Sequence, residues 1–263
     1  MSKRVIITGA ASGIGAATAT ALRERGAEVV GLDLKAGDGV LACDVTDQSS
    51  VDAAIATATK QLGGVDVLVN CAGIGLPQSA AERPGPDALR VLDVNLLGTW
   101  RTTAAALPAL RASRGRVVNI ASGLAHIAVP FATAYGASKR GVVGYSEQLR
   151  SEVGDEVAVT TVYPGYIRTP IHDASQSAGI GLEGMVPPEP LSAAVGTIVR
   201  AIYGKPVRDL ATTRQGAVSY KLIGLLPKRL VEGAVRRRMR AGAKRGLFKS
   251  TAMTSDLLAR LDR

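Results

Sequence analysis

The run Arg4 to Thr8 (RVIIT) passes directly into Gly9-Ala10-Ala11-Ser12-Gly13-Ile14-Gly15 and then into an alanine-rich stretch to about Arg25. No other feature limits the fold of this chain as much. A short, mostly β-branched apolar run suits a buried strand, and the stretch behind the glycines suits a helix. Strand, glycine loop and helix form the unit from which open α/β sheets are built. Small residues let the loop turn tightly and bring free N–H groups and the positive end of a helix dipole to a pyrophosphate. Glycines alone also mark plain turns; the position between strand and helix raises the dinucleotide reading.

The alternation of strands and helices continues. Glu28 to Leu32 reads as a second strand ending at Asp33, roughly twenty residues past the glycine loop, where an acid meets an adenosine ribose. A carboxylate there accepts hydrogen bonds from ribose hydroxyls and repels a 2′-phosphate, and Ala11, Ser12 and Leu34 add no positive charge. NAD is therefore expected over NADP, with Lys35 the one residue favouring the alternative. Gly39 to Ala42 is a short third strand leading to Asp44-Val45, Ser49 is the expected N-cap of a helix to about Leu62, and Val65 to Val69 is a fourth strand entering Asn70-Cys71-Ala72-Gly73. Gly75 to Pro86 is a polar connection, and Asp87 to Asn95 and Gly98 to Arg111 have helical period.

The chemistry is expected between Val117 and Lys139. Val117 to Ile120 is a buried fifth strand, and Ser122 stands just past its end, where open α/β sheets carry their sites. Tyr135 and Lys139 lie one turn apart on one face of a helix running to about Val153. A phenol titrates near 10 in water; a cation held beside it favours the phenolate and brings the group toward acid/base work at neutral pH. A serine hydroxyl nearby stabilises charge developing on a substrate oxygen. A solvated helix-surface pair has the same spacing, so the pair by itself leaves both readings open.

Ser122, and Tyr135 followed by three residues and Lys139, resemble the serine and the YxxxK motif of the short-chain dehydrogenase/reductase family. Thr8-Gly9, Gly13 and Gly15 have that family's TGxxxGxG spacing, and Asn70-Cys71-Ala72-Gly73 is similar to its NNAG turn with cysteine in the second place. The resemblance runs from Arg4 to about Tyr203. It implies that Tyr135 exchanges the substrate proton, Ser122 orients and polarises the oxygen, and Lys139 lowers the tyrosine's pKa and binds the nicotinamide ribose. It also implies that Asn95, a satisfied polar group when read from the residues alone, anchors a water beyond the lysine. The implied cofactor contacts are Gly9, Ser12, Gly13, Ile14, Gly15, Asp33, Asp44, Val45, Asn70, Ala72 and Gly73, with Tyr135 and Lys139; a structural role for Asn70 stays open. Val157 to Tyr163 is a sixth strand ending in a turn. There the resemblance implies that the backbone at Ile167 and the hydroxyl of Thr169 hold the nicotinamide carboxamide, with Pro164 and Gly165 in the turn before them.

Ile171 to Pro190 reads as an irregular lid punctuated by Gly179, Gly181, Gly184 and prolines. Its Ile180, Leu182, Met185 and Val186, with Leu124, Ile127 and Val129, suggest a pocket for a largely apolar alcohol or ketone of hydroxysteroid-, terpenoid- or lipid-like kind. His126 and His172 are expected at the surface or the pocket wall. Leu191 to Tyr203 is a helix, and Val207 to Ala211 is a last strand.

The net charge is +10, but residues 221–249 hold ten Lys/Arg and one acid, Glu232, so the segment carries +9 and the remainder +1. Aromatic residues make up 3% of the chain, too few for the stacking platforms of single-strand binders, and no nucleic-acid partner is expected. Leu230, Val231, Ala234, Val235 and Met239 fall on one half of a helix and Arg229, Arg236, Arg237 and Arg240 on the other, with Arg238 out of place. Such a helix packs on the body or on a second subunit, or lies on an anionic membrane. Cys43 and Cys71 fit no metal spacing and read as unpaired thiols in a reducing compartment, so no metal is expected. No apolar span is long enough for a bilayer and the start lacks a cleavage signal. The expected location is cytoplasmic, with peripheral membrane contact through residues 221–249 left open.

These readings describe one doubly wound, Rossmann-like α/β domain. Residues 1–212 hold the dinucleotide site and the substrate lid 171–190, and residues 213–263 form a basic helical extension. The expected protein is an NAD-dependent oxidoreductase of secondary alcohols and ketones, assembled as a homodimer or homotetramer. The rival reading is a non-catalytic NAD-binding protein that joins a membrane or a partner through its basic tail.

Overall fold

The structure, a computed structural model, describes residues 2–180, 186–248, 251, 254, 255 and 259. Its centre is a parallel sheet of β1 (Arg4–Thr8), β2 (Glu28–Asp33), β3 (Val40–Ala42), β4 (Val67–Asn70), β5 (Arg116–Ile120), β6 (Ala158–Tyr163) and β7 (Asp209–Ala211). The spatial order is β3-β2-β1-β4-β5-β6-β7. Connections leaving β1 and β4 therefore run to opposite sides, and a crevice opens outside the carboxyl ends of these two neighbours, where α/β sheets bind ligands. Register carries Thr8 beside Asn70 and Asn70 beside Asn119, so the chemistry-bearing strand ends share one edge.

Both faces of the sheet are covered, which explains why its strands read as apolar runs without alternation. Ile6, Leu68, Val117 and Val159 face one side and meet α2 (Gln48–Leu62), α4 (Gly98–Ser113) and α5 (Thr133–Val153) through Val51, Ile55, Leu110 and Leu149. Val5, Ile7, Val67, Val69, Val118 and Val162 face the other side and meet α1 (Gly13–Arg23) and α7 (Leu191–Tyr203) through Leu22, Ile198 and Ile202. Each such side chain, fully buried, contributes about 1.5–3 kcal/mol relative to exposure. At the amino edge of the sheet, Arg4 pairs with Asp66 at 2.8 Å and ties the start of β1 to the turn before β4.

Three local expectations are corrected. Asp47, not Ser49, caps α2: its extended backbone lets the carboxylate accept from Ser49 N at 2.9 Å, while Ser49 already lies inside the first turn. The helix expected over Asp87 to Asn95 is α3 (Pro86–Leu92) followed by a π-helical turn, Asp93–Leu97, closed by Gly98 N on the Asp93 carbonyl. The lid is not wholly irregular. It opens with a 3-10 turn, Pro170–His172, and the short α6 (Asp173–Ser177), while Gly181, Leu182, Gly184 and Met185 lie outside the described residues.

The basic segment forms two helices, α8 (Arg214–Leu225) and α9 (Lys228–Lys244), joined at Leu226-Pro227; Lys249 lies outside the described residues. The apolar side of α9 turns inward, with Met239 buried against Phe248. Among the described residues no helix is long and apolar enough to cross a membrane.

Candidate active site

A cavity of about 630 Å3 runs along the carboxyl edge of the sheet from Asp33 and Asp44 to Ser122 and Tyr135. Sequence-distant loops converge there because each follows a strand of one parallel sheet.

At the β1 end, the backbone must approach another chain segment closely. Gly9 has φ 68°, and a Cβ on it would lie 2.8 Å from Ala72 Cα; a Cβ on Gly15 would overlap the Gly9 carbonyl. Thr8 holds the facing turn, its hydroxyl accepting from Cys71 N at 3.1 Å and Ala72 N at 3.0 Å. Ser12 stands at the N-cap of α1 without a side-chain capping bond, so its hydroxyl and the first N–H groups of the helix remain free for an anion. Asp33 accepts from Ala11 N at 2.9 Å and Leu34 N at 2.8 Å, which fixes a carboxylate at the mouth beside the loop. Asp44 is held by the Thr46 side chain and backbone, and these hydrogen bonds lower its pKa. Val45, Ala72, Gly73, Ile14, Pro164, Gly165, Ile167 and Thr169 also line the cavity. A length of cleft with an anion cradle at α1, a carboxylate at β2 and apolar walls between fits a dinucleotide.

Asn70 departs from the set. Its side chain turns into the fold, donating to Thr103 Oγ1 and Asn119 Oδ1, both at 2.8 Å, and accepting from Thr102 Oγ1 at 2.7 Å. Asn119 in turn donates to Ser146 at 2.9 Å. Asn70 is 2% exposed and is not among the residues lining the cavity; its side chain joins β4 to β5 and α4, the structural role that the sequence left open. Buried amides at paired strand positions must satisfy each other, and that requirement draws Asn70 inward.

The reacting end is built on α5 and the strand ends around it. Lys139 is buried, its Nζ donates to the Ile120 carbonyl at 2.9 Å, and it lies 5.7 Å from the Tyr135 ring centroid. An ammonium has three donors, so two remain for a ligand. Ser122 lies just past β5, where it caps a 3-10 turn, Gly123–Ala125, by accepting from Leu124 N at 3.2 Å. The extra residue of the π turn leaves Asn95 as its buried member, and its amide accepts from Ile74 N at 2.8 Å and donates to Ile74 O and Ser138 Oγ at 3.0 Å. Ser138 closes the chain by donating to Tyr135 O at 2.7 Å. A Cβ at Gly73 would lie 3.3 Å from Asn95 Oδ1 and 3.5 Å from Lys139 Nζ, so these two groups meet beside the turn after β4. Single π turns concentrate at functional sites because they turn one side chain out of helical phase.

The electrostatics differ from the sequence expectation. Burial raises the Tyr135 pKa above its ordinary value, outweighing the Ser122 hydroxyl, which lowers it. Burial also pushes Lys139 down from 10.5 to about 8, so desolvation drives phenol and amine alike toward their neutral forms. Cys43 and Cys71, both free and both on the cavity wall, are pushed up to about 11 by burial and stay protonated. Among the described residues no cluster of His, Cys, Asp and Glu has metal-binding geometry.

The substrate side of the cleft shows what sequence reading missed. Leu124, Ile127, Val129 and Val186 line it as expected, whereas Ile180 faces a smaller neighbouring pocket. The further wall comes from α8 and α9: Tyr220, Ile223, Leu226, Leu230, Val231, Ala234, Val235 and Arg238. Val231, Ala234, Val235 and Arg238 recur at i, i+3, i+4, i+7, so one stripe of α9 faces the cleft and Arg238 belongs to it. A charge on an otherwise apolar stripe was the available signal. His126 stacks on Tyr220 and lies tilted against Tyr163, each ring centroid 4.8 Å away, and so fastens α8 to the wall behind Ser122. His172 lines the cleft beside Tyr166. Glu189 accepts from Gly165 N at 3.1 Å, from Thr213 at 2.9 Å and from Thr212, linking the turn after β6 to the start of α8.

Comparison with known proteins agrees with this geometry. Residues 3–179 match the family model described as short chain dehydrogenase. The chain is 31% identical over 210 residues to a D-beta-hydroxybutyrate dehydrogenase of Rhizobium meliloti, covering 71% of this chain and 81% of the relative. It is 40% identical over 184 residues to a D-threitol dehydrogenase of Mycolicibacterium smegmatis, covering 64% and 71%. Among solved structures, the ligand-free aldohexose dehydrogenase of Thermoplasma acidophilum superposes with a TM-score of 0.73 at 26% identity, over 80% of this chain and 92% of that one.

Proposed function

Because the chain belongs to the short-chain dehydrogenase family, a family of NAD(P)-dependent oxidoreductases, we propose that it interconverts a secondary alcohol and a ketone with NAD, on a largely apolar substrate. The observation that carries the reading is the convergence of Ser122, Tyr135 and Lys139 at the inner end of a cleft that fits a dinucleotide. Ser122 hydrogen-bonds the substrate oxygen and Tyr135 takes the hydroxyl proton, or returns it in the reverse direction. Lys139 is held by Ile120 O and keeps two further donors, which serve the ribose and the phenolate. Asn95 keeps the turn at Ile74 and the start of α5 in register, and so positions both groups. NAD, when bound, would supply the hydride acceptor.

The choice of NAD over NADP rests on charge. Asp33 presents a carboxylate at the end of β2, and its neighbour Leu34 is apolar and exposed, so a 2′-phosphate there meets repulsion without a cation of the Gly9–Gly15 loop to offset it. The substrate class rests on the apolar part of the cavity wall, Leu124, Ile127, Val129, Val186, Ile223 and Val235, with His172 and Arg238 at its side. The relatives are dehydrogenases named for hydroxybutyrate, threitol and aldohexose, so the family name carries the reaction and leaves the substrate to the cavity wall. A homo-oligomer belongs to the reading as well: Trp100 and Leu97 stay exposed on α4 and the turn before it, with Trp100 5.4 Å from the Tyr145 ring, an apolar face suited to a second copy.

The test is Tyr135→Phe. Turnover of a panel of secondary alcohols, followed by reduced-cofactor absorbance, should fall at least about a thousandfold while NAD affinity changes less than about threefold. A fully active variant, or a wild-type protein that binds NAD and oxidises no alcohol, overturns the assignment.

A further inference from the structure

The outward side of the α8–α9 corner has an unusual composition. Val218, Leu222 and Leu225 recur at helical spacing on α8 and are 54%, 55% and 82% exposed; Leu226 and Leu230, about half exposed, continue the patch across Pro227. Contiguous exposed leucines mark an interaction surface. On α9, Arg229, Arg236, Arg237, Arg240 and Lys244 are exposed on the side opposite Val231, Val235 and Met239. Glu232 is the single acid between Arg214 and Arg245, and among the described residues no ion pair engages these cations.

We propose that this corner docks on an anionic lipid bilayer, with the leucines entering the headgroup boundary and the α9 cations lying on lipid phosphates. The charge decides among occupants. A second copy in a two-fold contact would set one basic helix against another, and a nucleic acid would leave the leucines without an apolar partner. Leu226 and Leu230 belong at once to this patch and to the cavity wall, so the patch reaches the edge of the cleft. Resting on the function proposed above, this places the substrate among lipid-soluble alcohols and ketones, which pass between membrane and Ser122 without crossing water.

The test is sedimentation of the full chain with vesicles of phosphatidylcholine alone or with about one third phosphatidylglycerol. Binding to the anionic vesicles should exceed binding to the neutral ones at least about tenfold and vanish near 0.5 M salt. Leu222→Asp with Leu225→Asp, and separately Arg236→Glu with Arg240→Glu, should each lower it at least about tenfold, with NAD binding unchanged as proof of folding. Equal binding to both vesicles, or none, overturns docking. Ultracentrifugation without lipid showing a dimer that the Leu222/Leu225 variant dissociates assigns the patch to a second copy instead. Turnover of a water-soluble alcohol by the docking variants separates failure of this inference from failure of the enzyme assignment.

Discussion

Lys139 offers a direct measure of the site. Its side chain is nearly excluded from water and its pKa is lowered from 10.5 to about 8, mainly by desolvation. In the unfolded chain the amine keeps its proton up to about 10.4. Between the two values the unfolded state binds more protons than the folded one, so stability rises with pH across that window, and the destabilisation is fully present below 8. The shift corresponds to about 3 kcal/mol in total, of which about 2–3 kcal/mol falls between pH 7 and 10. The perturbation is Lys139→Met, which keeps the bulk and removes the titration. Urea unfolding of both proteins, without cofactor, at intervals from pH 7 to pH 10 gives the difference in unfolding free energy. Pairwise subtraction cancels the constant loss of the bond to Ile120 O. The wild type should gain about 2–3 kcal/mol on the variant as pH rises through this range. A difference that stays flat means the ammonium is solvated in the folded state, and the account of a desolvated acid/base centre falls with it.

Asn70→Ala should leave Thr102, Thr103 and Asn119 short of buried partners, lowering stability by about 2–4 kcal/mol in denaturant titration; NAD affinity measured on the folded fraction should move less than about threefold, and a selective loss of affinity refutes the structural role. Asp33→Asn should raise the kcat/KM ratio of NADP to NAD by about tenfold or more, since it removes one charge beside the 2′ position; an unchanged ratio argues against this carboxylate as the discriminator. Glu189→Ala frees the turn after β6 from α8, so hydrogen exchange should accelerate across residues 214–225 and KM for alcohols should rise more than kcat falls; unchanged exchange means the extension is held by its Tyr220 and His126 contacts alone.

Much of the fold was legible in the sequence, because a doubly wound sheet leaves strong local marks. Strands covered on both faces are short apolar runs, as in Arg4–Thr8 and Arg116–Ile120, and the glycine loop must spare Cβ atoms wherever Gly9 meets Ala72. The site residues on those marks, Ser122, Tyr135 and Lys139, came with them. Two local details were not legible. The π turn at Asp93–Leu97 has no distinct spacing, and the cap of α2 passed from the expected Ser49 to Asp47, whose carboxylate reaches a free N–H of the first turn.

The residues alone determined the order of strands and helices, the strand ends that bear chemistry and the amphipathic character of the tail, since period, turn chemistry and charge are properties of neighbours along the chain. Only tertiary structure decided where those properties are spent. It set Asn70 in a buried amide network, drove Lys139 toward neutrality by removing water, and folded α8 and α9 over the substrate wall with the α8 leucines and the α9 arginines exposed. Burial and pairing depend on groups far apart in sequence, and desolvation acts only once they have met.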